Sequence, residues 1–308
     1  MYRCIQLALN GIFTTAPNPM VGAVIVCNNR IIGEGYHHCY GGHHAEVNAI
    51  NSVRPSDRNL LPQSTLYVSL EPCCHYGKTP PCADLIIQEQ IPRVVIGARD
   101  TNQKVNGGGI QKLLDEGIEV TIGVLEDECR KINKRFFTFH ELHRPYITLK
   151  WAQTADGIIG IKGERLIISN TYTQMLCHKL RAEHQSILVG NNTWHQDKPS
   201  LTVRYWDGRN PKIIILSHDI DLQKELQGIQ SLLIEGGRET LQYFIDKGMW
   251  DEAHVEVSSM TINKKQGAEL IPAPILKDAV LDTTINLNNY QNIPAPTRQV
   301  FLYHQNHS

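Results

Sequence analysis

A chain of 308 residues, 41% hydrophobic and 20% charged, is long enough for two cores of ordinary domain size, and its 23 glycines and 15 prolines are spread along it, which excludes disordered, collagen-like and coiled-coil classes. Thirty Lys plus Arg against 31 Asp plus Glu leave a formal charge of −1. No overall attraction toward nucleic acid or an anionic membrane is built in, so a small-molecule substrate is favoured.

Residues 1–10 read as an amphipathic first helix, because Gln6 and Asn10 interrupt an apolar stretch that weakly resembles a leader. No run of eighteen apolar residues follows, which excludes a membrane-spanning helix. The expected location is cytoplasmic, where the eight cysteines suit metal binding or burial better than disulfides. Residues 21–26 and 31–35 read as paired strands about an Asn28-Asn29 turn. Strands follow at 65–70, 93–98 and 119–124, separated by helices near 44–53, 82–90 and 110–116, the last stopped by Gly117. The charged stretch 126–142 reads as one helix, and a new strand begins at Tyr146, so the expected domains are 1–143 and 144–308. The second domain continues in α/β style with strands at 187–189, 212–216, 231–234 and 254–257.

The most informative pattern pairs Gly41-Gly42-His43-His44-Ala45-Glu46 with Glu71-Pro72-Cys73-Cys74-His75-Tyr76-Gly77-Lys78-Thr79-Pro80-Pro81-Cys82. His44, Cys73 and Cys82 can hold zinc with a fourth position open, which is catalytic stoichiometry, since a structural site fills all four positions with protein atoms. Glu46, two residues beyond the imidazole at a helix start, could handle the protons of an activated water without ligating the metal. Cys73 follows a strand and Cys82 opens a helix, whose N-terminal dipole favours thiolates. His43, His75 or Cys74 stays open as a fourth ligand that would make the site structural; Cys74 otherwise reads as packing. Gly107-Gly108-Gly109 reads as a flexible loop, with phosphate binding a weaker alternative.

These residues resemble the cytidine-deaminase-like zinc enzymes, whose signature is His-x-Glu followed by Pro-Cys-x-x-Cys. The spacing departs from it, with eight residues between Cys73 and Cys82. That insertion, together with Ala16-Pro17-Asn18-Pro19-Met20-Val21-Gly22-Ala23-Val24 and Arg99-Asp100-x-Asn102, resembles the deaminase half of the bifunctional riboflavin-biosynthesis deaminase/reductases. Further along, Lys150-x-Ala152-x-Thr154-x-Asp156-Gly157, Leu180-Arg181-Ala182, Ile187-Leu188-Val189-Gly190, Thr193, the stretch from Asp197 to Arg204, and Leu233-Ile234-Glu235-Gly236-Gly237 resemble, in order, the reductase half. The implied fold class is α/β, a cytidine-deaminase-like α/β/α domain followed by a dihydrofolate-reductase-like domain.

Carried over position by position, the resemblance makes His44, Cys73 and Cys82 ligands of one Zn2+ and Glu46 the proton shuttle. It sets Asn18, His37, His75 and Lys78 on the deaminase substrate. In the second half it sets Ala152, Thr193, Asp197 and the stretch from Gly237 beside NADPH, and Lys150, Arg181, Leu201, Arg204 and Glu235 beside the reductase substrate. Arg181 and Arg204 suit a ribose phosphate because a guanidinium fork grips phosphate oxygens in pairs.

The implied activity is hydrolytic deamination of 2,5-diamino-6-ribosylamino-4(3H)-pyrimidinone 5′-phosphate, then NADPH-dependent reduction of the ribosyl to a ribityl chain. Its implied partners are that small pyrimidine ribosyl phosphate and further copies of the chain in a homo-oligomer, with neither nucleic acid nor membrane. The pattern departs at Arg165 and Ile167, where the family commonly carries Ser and Trp, and in a short connection over 217–230. One alternative is therefore a deaminase with an inactive or altered reductase domain. The alternative of another class is a non-catalytic zinc-stabilised binding module, against which the near-neutral charge and the open coordination position count.

Overall fold

The computed structural model describes residues 1–76, 80–102, 105–262, 268–287 and 298–306. The chain divides into two units, Met1–His143 and Arg144–Ser308. The first contains α1 (Tyr2–Ala8), β1 (Gly22–Cys27), β2 (Arg30–Tyr36), α2 (Ala45–Asn51), β3 (Thr65–Leu70), α3 (Cys82–Gln88), β4 (Arg93–Ala98), α4 (Gly108–Asp115), β5 (Glu119–Ile122), α5 (Glu126–Ile132) and α6 (Lys134–Leu142).

Asn28 and Asn29 both have positive φ, 49° and 60°, the conformation of a tight hairpin turn that asparagine tolerates, and they join β1 to β2. The sheet order is β2-β1-β3-β4-β5. β1 runs antiparallel to β2 and β3, while β3, β4 and β5 are parallel, so α3 and α4 supply the crossovers that parallel neighbours require. Alternation in β1 sends Ala23 and Ile25 toward α2, α3 and α4, where Ala49, Ile50, Ile86 and Leu113 pack. Val24 faces the other way, onto Cys4 and Leu7 of α1. Phe136 and Phe137 of α6 close that second face with Ile5 and Leu70, which makes an α/β/α layering.

The expected single helix over 126–142 is two helices. Asn133 ends α5 because its side chain turns inward: Nδ2 donates to Met20 O and Met20 N–H donates to Oδ1, each at 2.8 Å. At Asn133 the backbone leaves the helical range, with φ of −109° and ψ of 23°.

The second unit contains β6 (Tyr146–Gln153), β7 (Ile158–Ile161), α7 (Thr171–Ala182), β8 (Ser186–Gly190), α8 (Asn191–Asp197), β9 (Lys212–Leu216), α9 (Leu222–Glu225), β10 (Ser231–Glu235), α10 (Arg238–Asp246), β11 (Glu252–Ser258), β12 (Leu270–Pro272), β13 (Ala279–Asn286) and β14 (Arg298–Gln305). Its main sheet has the order β13-β14-β11-β6-β10-β8-β9. β11, β6, β10, β8 and β9 are parallel and β13–β14 form an antiparallel edge.

Leu149, Trp151, Leu241, Phe244 and Trp250 fill one face, and Leu180, Ile187, Val189 and Leu233 the other, as the near-continuous apolar runs of β8 and β10 demand. A capping box between Asn170 and Thr173 starts α7. β7, β12, β13 and β14 were not anticipated from the sequence. β13 is mostly exposed and its register slips between Leu281 and Thr283, which erases the period-two signal.

Candidate metal centre and candidate reductase site

His44 caps α2 in an extended conformation, Cys82 is the first residue of α3, and Cys73 lies in the segment after β3. Their ligand atoms lie within 4.8 Å of one another, His44 Nδ1 being 3.4 Å from Cys73 Sγ and 3.3 Å from Cys82 Sγ. A tetrahedral zinc ion with ordinary Zn–N and Zn–S bonds separates such donors by about 3.6 Å. The donor set, one imidazole and two thiols at that spacing, therefore fits zinc. Cys82 N–H donates to Cys73 Sγ at 3.3 Å, and hydrogen bonds from Cys82 and His44 hold the Cys73 thiol below its usual range against the effect of burial. Among the described residues the cluster includes neither His43, His75 nor Cys74.

Glu46 sits in the first turn of α2 and is 3% exposed. Burial, followed by the neighbouring Cys73, pushes its carboxyl up to about 7. His37 is also buried; its Nδ1 is 2.9 Å from the His43 carbonyl, which can only accept, so Nδ1 carries the proton. Nε2 is then an acceptor, 3.2 Å from Asn18 Nδ2, and burial pushes the imidazole pKa down. The His37 ring meets the His44 ring edge-on at 5.5 Å, which joins Asn18 and His37 to the metal centre. His75 is exposed, and Lys78 lies outside the described residues.

Gly107-Gly108-Gly109 is not a flexible loop. Gly107 and Gly109 N–H groups donate to the Glu71 carboxylate at 3.1 and 3.0 Å, and a Cβ on Gly109 would lie 1.9 Å from Pro72 O. The N-terminus of α4 is thereby occupied by Glu71, so a phosphate has no place there. Sequence reasoning passed over Glu71; its position just before Pro72-Cys73 was the available signal. Cys74 Sγ packs toward Gly108.

In the second unit, Arg181 of α7 and Glu235 at the end of β10 form a two-pronged ion pair, with Nε and Nη2 each 2.7 Å from a carboxylate oxygen. Arg181 Nη1 also donates to Thr202 O at 3.1 Å. Burial acts to raise the Glu235 carboxyl, but Arg181 and then Lys150 outweigh it and hold it below the usual range. Lys150 pairs in register with Glu235. Burial opposes its ammonium, and Cys177, Glu235 and Glu256 together outweigh burial and raise its pKa.

Lys150 also lines a cavity of about 260 Å³ with Thr173, Cys177, His254, Glu256 and Val300. Arg204 Nη1 donates to Thr202 Oγ1 at 2.6 Å, and Leu201, at the head of the same segment, is buried. Thr193 Oγ1 abuts Gly237, the N-cap of α10.

Ala152 is half-buried on β6 opposite Glu256, and Asp197 is exposed at the end of α8. Neither meets the Arg181–Glu235 pair through a described hydrogen bond. Arg165 is exposed and Ile167 is 66% exposed. Nothing in the sequence drew attention to His178, although it lies one helical turn before Arg181.

A family model described as the cytidine and deoxycytidylate deaminase zinc-binding region matches residues 1–98, and one described as the RibD C-terminal domain matches residues 145–227. The chain is 45% identical over 210 residues to the riboflavin biosynthesis protein RibD of Aquifex aeolicus, an alignment covering 68% of this chain and 58% of that one. It is 50% identical over 137 residues to the diaminohydroxyphosphoribosylamino-pyrimidine deaminase of Buchnera aphidicola subsp. Schizaphis graminum, covering 44% of this chain and 90% of that one.

The crystal structure of a Thermotoga maritima diaminohydroxyphosphoribosylaminopyrimidine deaminase/5-amino-6-(5-phosphoribosylamino)uracil reductase superposes with a TM-score of 0.84 at 31% identity, covering 99% of this chain and 97% of that one. The chain spans less than two thirds of the length of the first curated relatives it matches, 58% and 61% for two of them. Among the described residues no helix is long and apolar enough to cross a membrane.

Proposed function

Because the chain belongs to the family of bifunctional riboflavin-biosynthesis deaminase/reductases, we propose that it deaminates 2,5-diamino-6-ribosylamino-4(3H)-pyrimidinone 5′-phosphate and then reduces the ribosyl group of the product with NADPH. The observation that carries this reading is the convergence of His44, Cys73 and Cys82 beside the buried Glu46.

Those three side chains would hold the zinc, which when bound supplies the Lewis acidity that makes water nucleophilic at neutral pH. Glu46 takes a proton from the water and passes it to the adjoining ring nitrogen as the oxygen adds to the ring carbon, then carries the hydroxyl proton to the exocyclic amine, which leaves as ammonia while that carbon becomes a carbonyl. Asn18, braced by His37 Nε2, offers its amide to the pyrimidine edge.

In the second unit NADPH, when bound, supplies the hydride that reduces ribosyl C1′. Gly237 opens α10 and, with Thr193 against it, forms the wall we assign to the cofactor. Arg181 is committed to Glu235, which leaves Arg204 as the guanidinium we assign to the substrate phosphate. Lys150 and Glu235 flank the sugar and fix its orientation.

The test offers the aminopyrimidine phosphate first without and then with NADPH. Ammonia release in the first stage and NADPH oxidation in the second are expected; absence of ammonia overturns the proposal. The exposed Arg165 and Ile167, at positions where the family commonly carries Ser and Trp, favour as a second reading a deaminase without reductase turnover, and ammonia without NADPH oxidation would select it. A cytoplasmic location and a homo-oligomeric assembly complete the proposal. The use of the Cys73 and Cys82 thiols beside His44 suits a reducing compartment, and light scattering tests the assembly.

A further inference from the structure

His178 has no part in the chemistry above, yet it stands where the groups assigned to the second reaction meet. On α7 it lies three residues before Arg181, so both side chains leave the same helical face. Its ring is 3% exposed. Its Nδ1 accepts the backbone N–H of Arg204 at 2.7 Å and that of Tyr205 at 3.3 Å, and the ring packs tilted against Tyr205 with centroids 4.8 Å apart. A nitrogen that accepts from two N–H groups carries no proton of its own, so the ring proton is on Nε2. Burial, then Arg181 and Arg204, push the imidazole pKa down to about 4, which keeps that acceptor proton-free at neutral pH.

The segment thus held belongs to no helix or strand. It begins at Leu201 with φ of 48°, a left-handed conformation that a leucine adopts only when its surroundings impose it. Three contacts impose the path: Arg181 Nη1 on Thr202 O, Val203 N–H on Asn210 Oδ1 at 2.7 Å, and His178 on Arg204 and Tyr205. Of these, the His178 contact acts on the residue whose guanidinium has to be aimed.

We propose that His178 is a positioning residue of the reductase site: by accepting the Arg204 and Tyr205 N–H groups it fixes the segment that presents the Arg204 guanidinium to the substrate phosphate. The inference rests on the reading above that Arg204 meets that phosphate.

Two variants of the full chain, His178→Leu and His178→Asn, test it. Leucine fills the volume without an acceptor, whereas Asn Oδ1 stands close to the position of Nδ1. On the deaminated ribosylaminouracil phosphate, His178→Leu is expected to raise KM about tenfold with kcat within about twofold, and His178→Asn to stay within about threefold of the parent. On the same compound without its phosphate, parent and His178→Leu should have equal kcat/KM. An unchanged KM in the leucine variant, an equal loss on both compounds, or failure of asparagine to rescue overturns the proposal.

Calorimetric binding of ribose 5-phosphate separates this proposal from the reading beneath it. Weaker binding by His178→Leu than by the parent supports a positioning role even if neither oxidises NADPH, while equal binding, or none by the parent, overturns it. Should the leucine variant fail to fold, nitrogen NMR of the unsubstituted chain decides: an Nε2–H tautomer is expected, and a proton on Nδ1 refutes the arrangement.

Discussion

Glu71 Oε1 accepts the backbone N–H of Gly109 at 3.0 Å, so the carboxylate two residues before Cys73 closes the N-terminus of α4. Ile110 N–H shares that oxygen at 3.1 Å, and Oε2 takes the N–H groups of Gly107 at 3.1 Å and Asp100 at 3.3 Å. The side chain is 4% exposed, so these donors have little access to water. Glu71→Gln turns an amide NH2 toward one pair of donors and is expected to cost about 2 kcal/mol in stability of the first unit. Because Pro72 and Cys73 follow directly, zinc retained per chain after dialysis should fall with it. A glutamine variant with the denaturation midpoint and zinc content of the parent would refute this coupling.

The isosteric Glu46→Gln keeps the shape of the first turn of α2 but cannot carry the proton between water and the leaving amine. Ammonia release should drop by at least about 10²-fold. Zinc content should stay at one per chain, whereas Cys82→Ser, which alters a proposed ligand, should lower it. Ammonia assay and elemental analysis on the same preparations check both. Deamination at the parental rate in the glutamine variant would remove Glu46 from the mechanism.

Local chemistry made some of this legible and tertiary chemistry hid the rest. The Asn28-Asn29 hairpin was readable because the turn and its two strands are contiguous. The break at Asn133 was not, because its cause is Met20, 113 positions away. Gly107 to Gly109 looked like a loop, since nothing in three glycines announces a carboxylate from another segment. His44, Cys73, Cys82 and Glu46 were named as a set by residue type and spacing; that Nδ1 is the nitrogen facing the sulfurs required coordinates. In the second unit Arg181 and Arg204 looked alike as phosphate-binding arginines. Only packing distinguishes them, by giving one of them Glu235 as a partner.

That partner makes a separable prediction. Arg181 and Glu235 expose only 11% and 12% of their side chains, so removing one charge leaves the other buried and uncompensated. Arg181→Leu should destabilise the second unit by about 3–5 kcal/mol. It should abolish NADPH oxidation while ammonia release persists, since the metal centre lies wholly in the first unit. Parallel loss of both activities would contradict the assignment of the pair to the reductase site.

The stability of the second unit should also carry a pH dependence from His178. Its folded-state pKa of about 4 lies below the value of about 6.5 for an unperturbed imidazole. The unfolded chain therefore binds the proton first on acidification, and the contribution is complete above about pH 6.5 and lost as pH falls toward 4. Arg181, Arg204 and Lys150 act in this direction and Glu235 opposes them. All four tryptophans, Trp151, Trp194, Trp206 and Trp250, belong to the second unit, so their fluorescence in urea follows its unfolding. The urea midpoint of the parent should fall more steeply between pH 7.5 and 4.5 than that of His178→Asn, which has no imidazole to charge. Parallel pH profiles for the two proteins would show that the His178 imidazole is not held neutral by the fold.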